Sequence, residues 1–130
     1  MNRPEEPAIV RVEPDAVQAA AMSAVLWAEI QERYGFTAPD PFDPDVFRGS
    51  GSGIWVALAG DAPVGSIALA AASGSEVAEL DLMYVAPEHR GTGLADALLN
   101  NVIESARQSG IRRIRLRAGS PQPEALRFYT

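Results

Sequence analysis

The segment YVAPEHRGTGLADALL, residues 84–99, contains the residues of this sequence whose types and spacing most clearly suggest chemistry. Gly91 and Gly93 stand just before an apolar, helix-periodic run that begins at Leu94. The start of a helix leaves backbone N–H groups unpaired and carries the positive end of the helix dipole, so glycines there let an anion approach the backbone. The Arg90 side chain would add a mobile positive charge. This spacing predicts a phosphate site, although an ordinary turn from strand to helix uses glycines in the same way.

Two familiar phosphate motifs do not fit this segment. The P-loop requires Lys followed by Ser or Thr after its glycines, and the segment has no such pair. The dinucleotide-binding fingerprint requires a third glycine where Asp96 stands, and an acidic residue at the end of the next strand that is missing here. The pattern that remains is Arg-x-x-Gly-x-Ala, formed by Arg90, Gly93 and Ala95.

The hydrophobic periodicity predicts a single α/β domain over residues 1–130, with one mixed, mostly antiparallel sheet flanked by helices. AIVRVEP predicts a first strand, and an alanine-rich helix follows from Pro14 to the stop signal at Gly35. IWVALAG and PVGSIALAAA predict a hairpin, and EVAELDLMYVA predicts the next strand. Apolar residues at period 3.6 then predict a helix that ends at Gly110, before a strand over 111–117 and a last helix.

The helix that begins near Gly93 connects two of these predicted strands. A strand–helix–strand crossover makes residues 76–86 and 111–117 parallel neighbours and lays the helix across one face of the sheet. The start of the helix then lies at the carboxyl end of the first of these strands, which is where α/β proteins commonly bind ligands.

Composition excludes several classes of function. The chain has a formal net charge of −6, no cysteine and one histidine, so it has no disulfide framework, thiol nucleophile or Cys/His zinc site, and we expect no metal. The amino terminus MNRPEEPAIV lacks the apolar stretch of a signal peptide, and no apolar run approaches about 18 residues. We therefore expect a cytoplasmic protein without a membrane partner. The negative charge argues against a surface that binds nucleic acid throughout.

The segment LDLMYVAPEHRGTGLADALL, residues 80–99, resembles the acetyl-CoA motif of the GNAT superfamily of N-acetyltransferases, which would span residues 82–108 here. The family pattern is a strand that ends in an aliphatic-valine pair, a proline two residues later, then Arg or Gln, two residues, Gly, one residue, and Gly or Ala. The upstream segment GIWVALAGDAPVGSIAL is similar to the second and third strands of the family, and Ala125, Phe128 and Tyr129 are similar to the start of its last helix. The resemblance covers nearly the whole chain and implies the GNAT fold and acetyl transfer.

The resemblance also implies where the cosubstrate acetyl-CoA would bind. Its pyrophosphate would lie on the backbone amides at the start of the helix, and its pantetheine arm beside the end of the preceding strand. In the family that strand diverges from the next one, so its backbone groups are free to pair with pantetheine, and the Val85 amide would lie near the thioester carbonyl. The cofactor-binding residues implied in this way are Met83, Tyr84, Val85, Arg90, Gly91, Thr92, Gly93, Leu94 and Ala95.

Two catalytic residues are implied by position. Glu79 lies six residues before Val85, where several family members carry a carboxylate general base, and Tyr129 lies where the family often places a tyrosine that protonates the leaving thiolate. A base is needed because an amine with a pKa of about 10.4 costs roughly 4.6 kcal/mol to deprotonate at neutral pH. Asp81 lies two residues from Glu79 on the same strand, so both side chains face the same side. Asp81 or water remains an alternative base.

Acetyl transfer to a primary amine of a small molecule or peptide, in a ternary complex, is the function that these observations favour. The loop over 36–53 contains Asp40, Asp43 and Asp45, which favour a cationic acceptor. A non-catalytic acetyl-CoA-binding or regulatory module is an alternative. A module that binds nucleic acid or an acidic partner is a weaker one, suggested by four arginines within residues 112–117 but without interleaved aromatic residues.

The sequence departs from the family pattern at its carboxyl end. It stops at Thr130, whereas relatives continue this helix and add two strands. We therefore expect a sheet that lacks the last two strands of the family and leaves residues 111–117 at an edge. Either the alternating arginines keep the protein monomeric, or a second copy covers the edge in a homodimer, which we favour. Because Tyr129 would lie in a short terminal helix, we expect acetyl-CoA binding to be more robust than turnover.

Overall fold

A computed structural model describes residues 7–72 and 74–116 and confirms the α/β class. The last predicted helix, and Tyr129 with it, lies outside the described residues. Strands and helices follow the predicted order, with short 3₁₀ turns in the first loop and after the fourth strand. The elements are β1 (Ala8–Val12), α1 (Val17–Tyr34), a 3₁₀ turn (Pro44–Phe47), β2 (Gly53–Ala59), β3 (Ala62–Ala71), β4 (Val77–Val85), a 3₁₀ turn (Pro87–His89), α2 (Leu94–Gln108) and β5 (Arg113–Leu116).

The five strands form one sheet in the order β1-β2-β3-β4-β5. Neighbours are antiparallel except β4 and β5, which are parallel, as the predicted crossover through α2 requires. Each face of the sheet carries one helix and its own apolar cluster: α2 packs on one face and α1 on the other. The mixed, mostly antiparallel sheet flanked by helices is therefore confirmed.

Helix α2 has the apolar stripe that the sequence predicts. Its buried residues recur at intervals of three, four and one, and they form one face against the sheet. The helix ends in a Schellman motif: Gly110 has φ 80°, its N–H donates to the Arg107 carbonyl at 3.2 Å, and the Ile111 N–H donates to the Ala106 carbonyl at 2.9 Å. The buried residues are Leu94, Leu98, Leu99, Val102 and Ala106.

Gly65 allows the first turns of α2 to lie close to β3. A Cβ atom at this position would be 3.1 Å from the Tyr84 carbonyl oxygen, 3.2 Å from Leu98 Cδ1 and 3.4 Å from Leu94 Cδ2. Because backbone and two buried side chains surround it, the site has no room for a larger residue without movement of the helix. The glycine thereby fixes how near the start of α2 comes to the end of β4.

Strand β4 contains a bulge near its middle. Two of its residues, Leu82 and Met83, face the single β3 residue Ile67. Leu82 has φ 56°, and it is the one non-glycine residue with a left-handed backbone within the described ranges.

The bulge reverses which side chains of β4 face which helix. Before it, Ala78 and Leu80 pack in the cluster beneath α2. From Leu82 onward the alternation is reversed: Leu82 and Tyr84 pack in the cluster beneath α1, although strict alternation from Leu80 would direct them to the α2 face. Both cores are filled only because one extra residue shifts the alternation.

The two backbone groups of Leu82 are each satisfied by a side chain. The Leu82 N–H donates to Asp81 Oδ1 at 2.7 Å, and the Ser66 hydroxyl donates to the Leu82 carbonyl at 2.6 Å. Ser66 is fully buried among apolar residues, so this bond is the physical reason for a hydroxyl at that position.

We expect Ser66→Ala to destabilise the protein by about 1–3 kcal/mol, because it leaves the Leu82 carbonyl without its buried donor. Urea unfolding measures the loss. Ser50→Ala is the matched control: Ser50 is exposed and donates no hydrogen bond to the described residues, so its free energy of unfolding should change by less than about 0.5 kcal/mol. Equal stability of the two variants would mean that the hydroxyl does not support the bulge.

Candidate active site

The segment between β4 and α2 presents a row of unpaired backbone N–H groups. The N–H groups from Gly91 to Asp96 donate to no acceptor within residues 7–72 and 74–116, and the first paired one belongs to Ala97, which donates to the Gly93 carbonyl at 3.0 Å. Gly93 occupies the N-cap position of α2, where a Ser or Asp side chain would otherwise cover one of these donors. The start of a 15-residue helix is thus left open to an external acceptor.

Gly91 and Gly93 keep this row accessible. Their φ angles are 77° and 93°, and a Cβ atom at either position would meet nothing within 4 Å. Packing therefore does not require glycine here, whereas the left-handed backbone does. The open space above the amides fits a phosphate group that approaches the backbone closely.

The end of β4 directs a second set of backbone groups away from β3. Val85 lies opposite Gly65, and the neighbouring Ala86 N–H donates to the Val64 carbonyl at 2.8 Å. In an antiparallel ladder this pattern makes Val85 and Gly65 a non-hydrogen-bonded pair, whose own N–H and C=O groups point away from each other. The backbone groups of Val85 face the edge of β4 at which β5 pairs with residues 77–80. Within the described residues, that pairing ends at Leu80 and does not reach Val85.

Arg90 connects this strand end to α1. Its Nε donates to the Val85 carbonyl at 2.8 Å, and its Nη2 contacts both carboxylate oxygens of Glu29 at 3.1 and 2.8 Å. The guanidinium also lies over the ring of Tyr84, 5.7 Å from its centre. The prediction that the Arg90 side chain would supply a mobile charge is therefore not supported, since the side chain is held by three neighbours.

Glu29 and Tyr84 surround Arg90. Burial raises the pKa of the Tyr84 phenol above its usual 10.0, and the Glu29 carboxylate raises it further, while Arg90 lowers it. The phenol is therefore a neutral hydrogen-bonding group at neutral pH. The sequence gives no sign of the contact between Glu29 and Arg90, because the two residues are 61 positions apart and one of them is among seventeen acids.

Glu79 and Asp81 lie on the α1 side of the sheet, as predicted for residues two apart. They pair in register with Ala70 and Ala68, which pack in the cluster beneath α1. Glu79 Oε2 is 3.4 Å from a guanidinium nitrogen of Arg115, and its side chain is 29% exposed. Asp81 supports the bulge, whereas Glu79 is accessible.

The comparisons with known proteins agree with this geometry. The model of the acetyltransferase (GNAT) family matches residues 19–130. The chain belongs to the GNAT family. Among curated relatives, the Escherichia coli uncharacterized N-acetyltransferase YjgM is 32% identical over 112 residues, which are 78% of this chain and 67% of YjgM. N-acetyltransferase 8B of Rattus norvegicus is 34% identical over 83 residues, 61% of this chain but only 37% of the rat protein.

Solved structures of GNAT acetyltransferases share the fold. The GNAT-family acetyltransferase from Staphylococcus aureus superimposes with a TM-score of 0.73 at 20% identity, over 94% of this chain and 81% of that one. An acetyltransferase from Streptococcus agalactiae gives a TM-score of 0.71 at 23% identity, over 94% and 79%. At such identities the similarity establishes the fold and leaves the acceptor open.

The predicted GNAT cofactor residues lie together. Met83, Tyr84 and Val85 form the end of β4, and Arg90 to Ala95 form the turn and the first residues of α2. Of the two predicted catalytic residues, Glu79 lies lower on the same strand, and Tyr129 lies outside the described residues. Thr92 contributes its amide to the open row, while its hydroxyl donates to the His89 carbonyl.

The three loop acids, expected to favour a cationic acceptor, are engaged with a side chain of α1 and with groups of the loop itself. Asp40 accepts hydrogen bonds from the Ser23 hydroxyl at 2.9 and 3.0 Å, and Asp43 accepts one from the Asp45 N–H at 3.0 Å. Asp45 pairs with Arg48 at 2.8 Å. They therefore support the shape of the loop, and they give less support to a cation site than the sequence suggests.

Residues 7–72 and 74–116 lack two features that would bear on function. No cluster of three His, Asp or Glu side chains in this part of the chain has the arrangement of a metal site. None of its helices combines the length and the apolar character that crossing a bilayer demands.

We expect Gly93→Glu to abolish acetyl-CoA binding, because it places bulk and negative charge over the open amides. Isothermal titration calorimetry measures the affinity. Gly74→Glu is a matched control: Gly74 has φ 75° and open space around it, but it lies in the turn between β3 and β4 at the other end of the sheet. Both variants should lose about 1–2 kcal/mol of stability from the left-handed backbone. Normal binding by Gly93→Glu would place the site elsewhere.

Proposed function

We propose that this GNAT protein transfers an acetyl group from acetyl-CoA to a primary amine of a small molecule or peptide, by direct attack within a ternary complex. The observation that carries the proposal is the row of unpaired N–H groups from Gly91 to Asp96 beside the outward-facing backbone of Val85. The row of N–H groups suits the pyrophosphate of a coenzyme, and the backbone groups of Val85 suit an extended chain that carries amides.

The coenzyme would be held mainly by backbone. Amides from Gly91 to Ala95 would face the pyrophosphate, and the helix dipole of α2 would add to their attraction. The Arg90 N–H, expected from the sequence to join them, already donates to the Pro87 carbonyl at 3.2 Å. The Met83 and Val85 backbone groups would pair with the pantetheine amides as an added strand does at a sheet edge. The Arg90 side chain would keep the turn and the end of β4 together through its bonds to Val85 and Glu29.

Acetyl-CoA, when bound, would supply an acetyl group activated as a thioester. The Val85 N–H would stabilise the negative charge that develops on the carbonyl oxygen during attack, as a preorganised backbone donor. The C–N bond forms and the C–S bond breaks, so one proton must leave the nitrogen and one must reach the sulfur. These two transfers define the roles of the acid and the base.

Glu79 is our candidate for the base. It lies on the same strand as the Val85 amide and is partly exposed on the α1 side of the sheet, so it can accept the proton directly or through a water molecule. Tyr129 is our candidate for the acid that protonates the thiolate, by the resemblance to the family. The alternative function, a module that binds acetyl-CoA without turnover, makes the same use of backbone groups but needs neither residue.

We expect Glu79→Gln to lower kcat by about 100-fold or more, the usual contribution of a general base, with acetyl-CoA affinity unchanged. Thiol release with a panel of amines measures turnover, and calorimetry measures affinity. Glu76→Gln is the matched control, because Glu76 lies just before β4 and forms a more exposed pair with Arg112 at 3.8 Å. Unchanged kcat in Glu79→Gln would assign the base to Asp81 or to water. Coenzyme binding without thiol release from any amine would favour the non-catalytic module.

We expect Tyr129→Phe to lower kcat by about 10-fold or more and to leave acetyl-CoA affinity unchanged, because the substitution removes only the acidic hydroxyl. Tyr34→Phe is the control, since Tyr34 is 43% exposed at the end of α1. An undiminished rate in Tyr129→Phe would show that another group protonates the thiolate.

A further inference from the structure

The surface around Glu79 carries charges of both signs in adjacent register. On β5, Arg115 pairs with Glu79 and Arg113 pairs with Val77. Ile114, between the two arginines, packs against the cluster beneath α2, so both arginines face the α1 side with Glu79. A carboxylate and two guanidinium groups therefore share one face where β4 and β5 meet.

Arg113 differs from the other described arginines. Its side chain has no hydrogen-bond or ion-pair partner within residues 7–72 and 74–116, and it is exposed. Every other arginine in that part of the chain has at least one such partner. These are Arg11 with the Ser52 carbonyl, Arg33 and Arg90 with Glu29, Arg48 with Asp45, Arg107 with Glu104, Arg112 with Glu76, and Arg115 with Glu79.

The chain is acidic, with a formal net charge of −6, so most of its cations can find a carboxylate partner and an unpaired one is available to an anionic ligand. Arg113 lies two residues before Arg115, which pairs with the candidate base Glu79, so its unpaired guanidinium offers an anion a bidentate partner beside that base. Arg115 can share its donors between Glu79 and the same anion, because a guanidinium has five N–H groups. On the other side of Glu79, its register neighbour Ala70 is small and only partly buried, which leaves room beside the carboxylate.

We propose that the acceptor is a small amine that carries an anionic group, an amino carboxylate or an amino phosphate. Its nitrogen lies at Glu79, and its anion binds Arg113 and Arg115. Neighbouring strands are about 4.8 Å apart and alternate residues about 6.6 Å apart, so these groups can engage a nitrogen and an anion separated by one or two carbons. The proposal rests on the proposed acetyl transfer and names the acceptor class of that site.

A cationic acceptor fits this surface less well. Its second positive charge would lie against Arg113, and like charges at such distances repel. The acids that would favour a cation are already engaged: Asp40 with Ser23 of α1, and Asp43 and Asp45 within the first loop.

Four acceptors of similar length test the proposal with the full chain and saturating acetyl-CoA. They are 3-aminopropanoate, 2-aminoethyl phosphate, propylamine and 1,3-diaminopropane. We expect kcat/KM for at least one of the two anionic amines to exceed that for propylamine by about 10-fold or more, the effect of a charge-assisted hydrogen bond. The diamine should be the poorest acceptor. Comparison of the carboxylate with the phosphate then identifies which anion the surface takes.

Arg113→Gln should remove most of the preference for the anionic amine, and Arg113→Glu should reverse it in favour of the diamine. Arg112→Gln is the matched control: it makes the same change in net charge one residue away, in a side chain paired with Glu76, and should keep the preference. Unchanged acetyl-CoA affinity in all three variants shows that they are folded.

The outcomes separate this inference from the function on which it rests. Acetylation of the four amines without preference, or a preference for the diamine, would overturn the inference alone. Equal losses in Arg112→Gln and Arg113→Gln would also overturn it, because the effect would then come from general charge. If acetyl-CoA binds but no amine is acetylated, the proposed function fails and the inference fails with it.

Discussion

The bulge at Leu82 determines which helix each half of β4 packs against. A strand that alternated regularly through residues 77–85 would direct the side chain of Tyr84 to the α2 face and leave the cluster beneath α1 incomplete. One left-handed residue corrects this, at the cost of strain and two displaced backbone groups. Asp81 and Ser66 offset that cost by bonding to those groups, so Asp81, an alternative base in the sequence, has a structural role.

The bulge also determines what the end of β4 can offer a ligand. Beyond it, Val85 lies opposite Gly65 with its own backbone groups directed away from β3. Gly65 simultaneously lets α2 begin close to that point, because its Cβ position is surrounded by backbone and two leucines. The outward-directed N–H of Val85 at the strand end therefore lies near the row of unpaired N–H groups at the helix start. Arg90 holds them together through the Val85 carbonyl and Glu29.

Features that depend on local patterning could be predicted from the sequence. The stripe of α2, its end at Gly110 and the glycines before Leu94 follow from period and backbone conformation, and the structure contains all of them. The bulge could not be predicted, because ELDL alternates regularly, the apolar MYV that follows fits either face of the sheet, and nothing local requires an extra residue at Leu82. The bond between Arg90 and Glu29 joins distant segments, so only the packing of α1 on the sheet reveals it. The acids of the first loop, Asp40, Asp43 and Asp45, are visible in the sequence as charges, but the groups that bond to them are known only from the structure.

The balance of charge explains why backbone, and not side chains, would recognise the coenzyme. The chain has no lysine, and the arginine nearest to the open amides is neutralised by the carboxylate of Glu29. A protein of net charge −6 repels an anion at long range, so attraction must come from close, directed groups. Six successive N–H groups at a helix start are such directed groups: they attract an anion at close range and carry no net charge. Geometry at Gly91 and Gly93 therefore matters more for this site than the sign of the surrounding surface.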